Sequence, residues 1–359
     1  MNDFIEIHTH DRIRFKRCRR KWYFQSPTRL HLQHIDAPPN IHLWFGTGFH
    51  FALEDFHGYN RFGDPVKALE AFYYAFKDDQ LPEEGAETIA LGMKMFEHYK
   101  QWMQRRDSYE TVWMDGKPQV EVRFALELED LSEKAGRPVV YRGTIDRLVQ
   151  DVEGRYWIED YKTAKRIDLS KLVNDPQISA YTWAAEQFYG LPIEGMLYTQ
   201  FVKDSPSAPK HLVRGGLSVD QKQKTTYDVY RRELLDLYPS GNFPSKYINF
   251  LNDLAARETP EGDPFIRRDG VYRNTQAKEK TYEYIIGEVS EMINPDLPIY
   301  PNPTRDCSWE CTEFRTVCTA MDEGDDWEYL LNNFYRRKEE YDETWRDRIK
   351  WPKQEALSR

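Results

Sequence analysis

Apolar residues recur along this chain at two periods, and the switching between them predicts an α/β fold. A two-residue period rich in β-branched and aromatic side chains runs through PQVEVRFALELED (118–130), Val139 to Val149, Arg155 to Lys162, and IEGMLYTQFVK (193–203). Four strands follow. A helical period marks LWFGTGFHFALEDF (43–56), where Phe49, Leu53 and Phe56 form an apolar stripe behind an opening Gly-Thr-Gly turn. It returns from Glu87 to Arg105 and in QISAYTWAAEQFYG (177–190), which Asn174 or Asp175 can cap, with Pro176 at the first position and Gly190 past the end. Two polar amphipathic stretches, Ser218–Tyr238 and Lys278–Met292, read as helices joined by a Pro/Gly/charge-rich connection.

The strand signals are densest in GTIDRLVQDVEGRYWIEDYK, residues 143–162, where Asp151 and Gly154 supply the turn of a hairpin. Alternation puts Asp160 and Lys162 on one face, and the partner strand brings Asp146 beside them. Such a trio can be an ordinary surface ladder of opposite charges. Its chemical reading is a divalent-cation site, with Asp146 and Asp160 giving hard oxygens to Mg²⁺ or Mn²⁺ and Lys162 stabilising a phosphate under attack.

Composition sharpens this picture only in part. The chain has 359 residues with 14% aromatics, enough for a substantial core. A formal charge of −10 argues against a protein that is basic overall, but nucleic-acid binding depends on local patches. No apolar run approaches the roughly 18 residues of a membrane span, and MNDFIEIHTH lacks the order of a signal peptide, so a cytoplasmic location is expected. There is no G-x4-G-K-[ST] phosphate loop and no internal repeat.

Two further features carry chemistry. RIRFKRCRRK (12–21) holds seven basic residues in ten and is flanked by aromatics. It reads either as a solvated helix face or as a nucleic-acid groove in which Arg14, Arg17, Arg19, Arg20 and Lys21 meet phosphates and Trp22 stacks on bases. Cys18 lies inside it, and Cys307, Cys311 and Cys318 crowd the other end with C-x3-C-x6-C spacing. Four cysteines in that arrangement suit a metal or iron–sulfur site better than disulfides; tetrahedral zinc is chemically open, and so are four unrelated thiols. His50 and Glu54 stand at i and i+4, readable as a surface pair, and Gln177 and Tyr181 share a helix face. Glu121 is read as strand scaffold.

Taken in order, G-x3-H (Gly46, His50), G-x-x-D-R (Gly143, Asp146, Arg147), D-Y-K-T (Asp160 to Thr163) and Q-x3-Y (Gln177, Tyr181) resemble the RecB-like branch of the PD-(D/E)xK nuclease superfamily. F-x-x-C-R-R-K-W (Phe15 to Trp22) and the cysteine triplet are similar to its iron–sulfur members, which include CRISPR-associated RecB-like nucleases, the AddB nuclease domain and phage exonucleases. The resemblance implies a mixed β-sheet flanked by helices. It implies a metal held by His50, Asp146, Asp160 and the carbonyl of Tyr161, a catalytic Lys162, accessory residues Gln177 and Tyr181, and a [4Fe–4S] cluster on Cys18, Cys307, Cys311 and Cys318. Each gap of the triplet is one residue longer than the family's usual C-x2-C-x5-C. The chain then divides into a basic N-terminal helix (1–39), the nuclease core (40–215), a helical insertion (216–295), a cysteine segment (296–320) and a charged tail (321–359). The expected activity is metal-dependent DNA exonuclease action on single-stranded ends. The alternatives are a DNA-end binding module, or a trimming subunit of a recombination or integration complex working with recombination or replication proteins.

Overall fold

The long hairpin forms the centre of a seven-stranded mixed sheet in the computed structural model, which describes residues 4–338, apart from 38, 60, 62, 77–80 and 171, together with Arg346 and Ile349. β7 (Val139–Gln150) and β8 (Tyr156–Ala164) pair antiparallel from Arg147↔Glu159 to Gln150↔Tyr156. Asp151 closes the turn by accepting the N–H groups of Glu153 and Arg155. β9 (Ile193–Val202) adds parallel to β8, and β10 (Ile266–Tyr272) antiparallel to β9. β6 (Val120–Glu127) and the short β3 (Glu110–Thr111) pair antiparallel with β7, and β1 (Ile5–His8) runs parallel to residues 139–142. Because β6 occupies one edge of β7 across residues 140–147, β1 and β8 share the other edge and leave residues 143–146 between them. Asp146 lies in that gap.

Helices cover both faces. On one, α3 (Ile41–Gly58), α4 (Pro65–Ala75) and α5 (Gly85–Arg106) build an aromatic core with Phe45, Phe49, Phe72, Phe96 and Trp102, closed by Tyr161 and Phe201 of the sheet. On the other, α7 (Pro176–Tyr189) and α10 (Thr275–Met292) pack with Ile7, Tyr141 and Ile158. The caps expected of α7 are present: Asp175 accepts the Gln177 N–H, and Gly190 ends the helix at φ +64°. A short helix, α6 (Glu129–Ala135), links β6 to β7, and a small hairpin of β4 (Trp113–Met114) and β5 (Lys117–Pro118) precedes β6.

Four expectations are corrected. The Gly-Thr-Gly stretch is not an opening turn: α3 begins at Ile41, where Asn40 accepts from the N–H groups of His42 and Leu43. Gly48 lies inside the helix because the Phe72 ring packs there, so close that a Cβ would sit 2.5 Å from Cδ1. The basic N-terminal helix is two helices, α1 (Thr9–Arg17) and α2 (Arg19–Gln25), broken at Cys18, whose backbone is extended. The stretch 216–295 is not one helical insertion. Its middle carries α8 (Tyr227–Leu237) and α9 (Ser245–Ala255) around Tyr230, Tyr247 and Phe250, while β10 completes the sheet and α10 packs on the main core. Ser218–Thr226 is not helical.

The last part of the described chain folds back on the start. α11 (Arg315–Glu323) and α12 (Trp327–Phe334) lead to β11 (Tyr335–Arg337), which pairs antiparallel with β2 (Leu32–His34). Phe24, Phe314 and Val317 form a small core beneath this ribbon. The expected charged tail thus starts with the end of α11, α12 and β11; beyond residue 338, apart from Arg346 and Ile349, it lies outside the described residues.

A buried ionic network ties the strands together. Arg147 donates to Glu159 at 2.9 Å, Glu159 also meets Arg268 at 2.7 Å, and Arg268 reaches Asp107 at 2.6 Å. Thr199 donates to Glu159 at 2.7 Å, and the Tyr161 hydroxyl donates to it at 2.9 Å. Burial pushes the Asp107 carboxyl up, but the Arg268, Arg147 and Arg61 guanidinium groups outweigh it and hold the group below its ordinary range. Asp107→Asn should therefore cost about 3–5 kcal/mol near neutral pH, as removal of one partner from a buried pair does. A folded-state value below the unfolded value of about 3.9 means that the contribution is complete above that pH and is lost as pH falls through the folded value. Chemical denaturation should then show a wild-type advantage that is constant down to about pH 4 and shrinks below it.

Candidate metal and phosphate site

The gap between β1 and β8 is where the chemistry gathers. β8 leaves β7 after Glu159, and the next free amide, the Tyr161 N–H, donates to Asp146 Oδ2 at 2.8 Å. The carboxylate thus substitutes for a missing strand contact. α3 brings His50 from above, its Nδ1 3.0 Å from Glu121 Oε1 and 3.6 Å from Asp146 Oδ2. Glu121 lies opposite Asp146, between the pairs Val120↔Arg147 and Val122↔Ile145, with a left-handed backbone at φ +50°. Among the described residues, His50, Glu121 and Asp146 are the set of three donors whose ligand atoms all lie within 4.8 Å of one another.

Asp160 and Lys162 do share a face, and Lys162 Nζ holds the Asp160 carboxylate at 2.8 and 2.7 Å. Asp160 is therefore paired with the ammonium and stands outside the three-donor set. Gln177 Nε2 reaches Asp160 Oδ1 at 3.4 Å from α7. Tyr181 stands one turn on, edge-on to Phe124, and a Cβ at position 143 would lie 2.7 Å from the Phe124 ring and 3.0 Å from the Tyr181 hydroxyl, which accounts for Gly143.

The charges are set by burial and by one another. Burial pulls His50 down, but Asp146 and Glu121 outweigh it and lift the imidazole to about 9. Burial raises Asp146 to about 7; Asp160 and Glu121 add to the rise, and His50 and Lys162 oppose it. Burial would lower Lys162, yet the Asp160 and Asp146 carboxylates raise it. A protonated imidazole fills the role of counter-charge for carboxylates that crowd together, and a divalent cation fits the same place and chemistry. His50, Glu121 and Asp146 offer one nitrogen and two hard-oxygen donors, a set that can hold a divalent cation.

Glu121 is the residue that sequence reasoning missed. It looks like one more charged position on the open face of an alternating strand, and its role depends on the register with β7. The signal available was its pairing opposite Asp146 once those two strands are placed side by side. His50, which spacing alone reads as half of a surface pair with Glu54 and the resemblance makes a metal ligand, faces Glu121 and Asp146.

The basic run is not used as expected. Trp22 is fully buried against Phe15, with the Arg29 guanidinium over its ring, and offers no face to a base. Arg20 pairs with Asp322 at 2.7 Å, Arg17 with Glu310 at 2.6 Å, Lys21 with Glu310 at 3.7 Å, Arg19 with Glu291, and Arg14 with Asp11 at 3.6 Å. The carboxylates other than Asp11, which lies on α1 itself, come from α10, α11 and the cysteine segment. They were invisible to a local reading because most lie some 270 to 300 residues away in the chain.

A cavity of about 1540 Å³ opens on the site, lined by His50, Glu121, Asp146, Asp160, Lys162, Gln177 and Tyr181. The four cysteines gather elsewhere. Burial pushes the Cys311 thiol up to about 11, and Cys18, Cys318 and Cys307 push it the same way against Lys21. Main-chain N–H groups of Asn302 and Thr304 point at Cys18 and Cys307 Sγ at 3.4 and 3.5 Å, and Arg20 reaches Cys318 Sγ at 3.5 Å.

No helix among the described residues is long and apolar enough to cross a membrane. A search of curated proteins finds no match. The model of the PD-(D/E)XK nuclease superfamily matches residues 13–319, from the middle of α1 through most of α11. The match spans the strands that carry Glu121, Asp146, Asp160 and Lys162 and the helix that carries His50, and the chain belongs to the PD-(D/E)XK nuclease superfamily.

Proposed function

We propose that this chain is a Mg²⁺- or Mn²⁺-dependent deoxyribonuclease of the RecB-like kind, acting on DNA from single-stranded ends. The observation that carries the reading is the convergence of His50, Glu121 and Asp146 within 4.8 Å at the mouth of a large cleft, with Lys162 beside them. A divalent cation held there would lower the pKa of a bound water and polarise a phosphoryl oxygen. His50, Glu121 and Asp146 are its side-chain ligands in this account, with the Tyr161 carbonyl and Asp160 as further candidates. Lys162, kept charged by Asp160, supplies positive charge to the phosphate in the transition state. Gln177 orients Asp160, and Tyr181 borders the path of the strand.

The cysteines are assigned to a [4Fe–4S] cluster. Among the described residues, no three of their sulfurs lie within 4.8 Å of one another. A single zinc with bonds of about 2.3 Å would draw its sulfurs closer than that, whereas cubane ligands sit on separate irons and stand wider apart. The N–H groups aimed at Cys18 and Cys307, with Arg20 at Cys318, favour anionic sulfur.

End-labelled single-stranded DNA should be degraded with Mg²⁺ or Mn²⁺ and spared with chelator. Lys162→Ala should lower the rate about 10²- to 10³-fold, the usual loss for one electrostatic stabiliser. Glu121→Ala should lose both cleavage and Mn²⁺ affinity; a Glu121→Ala protein that cuts at the wild-type rate would remove that residue from the site. Protein purified without oxygen should contain iron and sulfide, and Cys311→Ser should lose them. One zinc and no sulfide would overturn the cluster assignment and leave the nuclease assignment in place.

A further inference from the structure

The cleft holds a second group of cations that the reaction centre does not use. Arg29, Arg137, Arg337 and Lys338 all line it, and none of them ion-pairs with a carboxylate among the described residues. The Arg29 guanidinium donates only to the main-chain carbonyls of Met292 and Asn294, at 2.7 and 3.0 Å, and its Nε is buried without a partner. This is the reverse of the N-terminal run, where carboxylates have claimed the charges. Uncompensated cations in a cleft attract a polyanion, and these four come from two separate parts of the fold, the α6–β7 turn and the β2–β11 ribbon.

The origin of these cations is specific. Arg337 ends β11 and Lys338 follows it, Arg29 leads into β2, and these two strands pair as the ribbon at the edge of the cleft, while Arg137 comes from the turn between α6 and β7. The ribbon stands on the cysteine segment. Glu313 accepts the His34 N–H at 2.8 Å, the Phe314 ring stacks on Phe24 at 5.0 Å and on Tyr335 at 5.2 Å, and the Tyr335 hydroxyl donates to the Glu313 carbonyl. Glu313 and Phe314 lie between Cys311 and Cys318.

We propose that Arg29, Arg137, Arg337 and Lys338 form a phosphate-binding wall for the strand running through the cleft, and that the cysteine segment holds the Arg29, Arg337 and Lys338 part of it in place through the β2–β11 ribbon. The nature of the strand rests on the nuclease reading; the wall itself does not require cleavage. Its test is equilibrium binding of a fluorescent single-stranded oligonucleotide in EDTA, titrated with salt, so that no metal-dependent step contributes. Each lost phosphate contact removes about 0.7 from the slope of log affinity against log salt. The triple variant R137A/R337A/K338A, three exposed positions, should lose about 2 from that slope, while Mn²⁺ affinity at the three-donor site stays unchanged. Lys280→Ala, which removes a charge paired with Glu283, should leave the slope alone. Glu313→Ala, which frees Arg337 and Lys338 but not Arg137, should lose about 1.4 from the slope and also keep its Mn²⁺ affinity. An unchanged slope in the triple variant, or a wild-type protein that does not bind the oligonucleotide at low salt, would overturn the wall. Wild-type slope in Glu313→Ala, or loss of Mn²⁺ binding with it, would overturn the link to the cysteine segment. Failure of the nuclease reading would appear separately, as wild-type protein that binds the strand in EDTA but leaves it intact with metal.

Discussion

The ionic network of Arg147, Glu159, Arg268 and Asp107 is the constraint on which the site depends. Side chains alternate along a strand, so Asp160 follows Glu159 on the opposite face, and Asp146 immediately precedes Arg147 in the chain. Whatever fixes the register of Arg147 against Glu159 also fixes Asp146 and Asp160. A slip of one residue between β7 and β8 would swap the faces and place two buried carboxylates against arginines meant for others. Buried ion pairs add little net stability because desolvation offsets their attraction. Their value here is that only one register satisfies them all, with Thr199 and the Tyr161 hydroxyl completing the coordination of Glu159.

The front of the sheet uses the freedom that this creates. With β8 held to β7 only up to Glu159, the strands part, and Asp146 takes the Tyr161 N–H that would otherwise be orphaned. That single hydrogen bond fixes the carboxylate in the gap where α3 presents His50. The result is a pocket of crowded acids, with Asp146 lifted to about 7 and His50 to about 9. Scaffold and site are therefore two faces of one pair of strands.

This division explains what could be read from the sequence. The hairpin, Asp160 with Lys162 and the capped helix at Pro176 follow from short periods and turn residues, all local signals, whereas the mixed sheet is implied by the family resemblance. β10 was hidden because IRRDGVY looks charged; Arg268 is buried in it, and its partners Glu159 and Asp107 lie on β8 and at the end of α5. Glu121 was hidden because its role depends on which strand it faces. The ion pairs of the N-terminal run were hidden for the same reason, since Glu288, Glu291, Glu310 and Asp322 are distant in sequence. Periodicity reports burial, and it is blind to charges that find each other across the fold.

The central claim is that β7, β6 and α3 together present one cation site. The most direct measurement is anomalous diffraction at the manganese edge from crystals soaked in Mn²⁺. The account predicts a peak bonded to His50, Glu121 and Asp146, with Lys162 still paired to Asp160 nearby. A peak on Asp160 that leaves Glu121 and His50 paired with each other, or no peak in this cleft at saturating Mn²⁺, would contradict it.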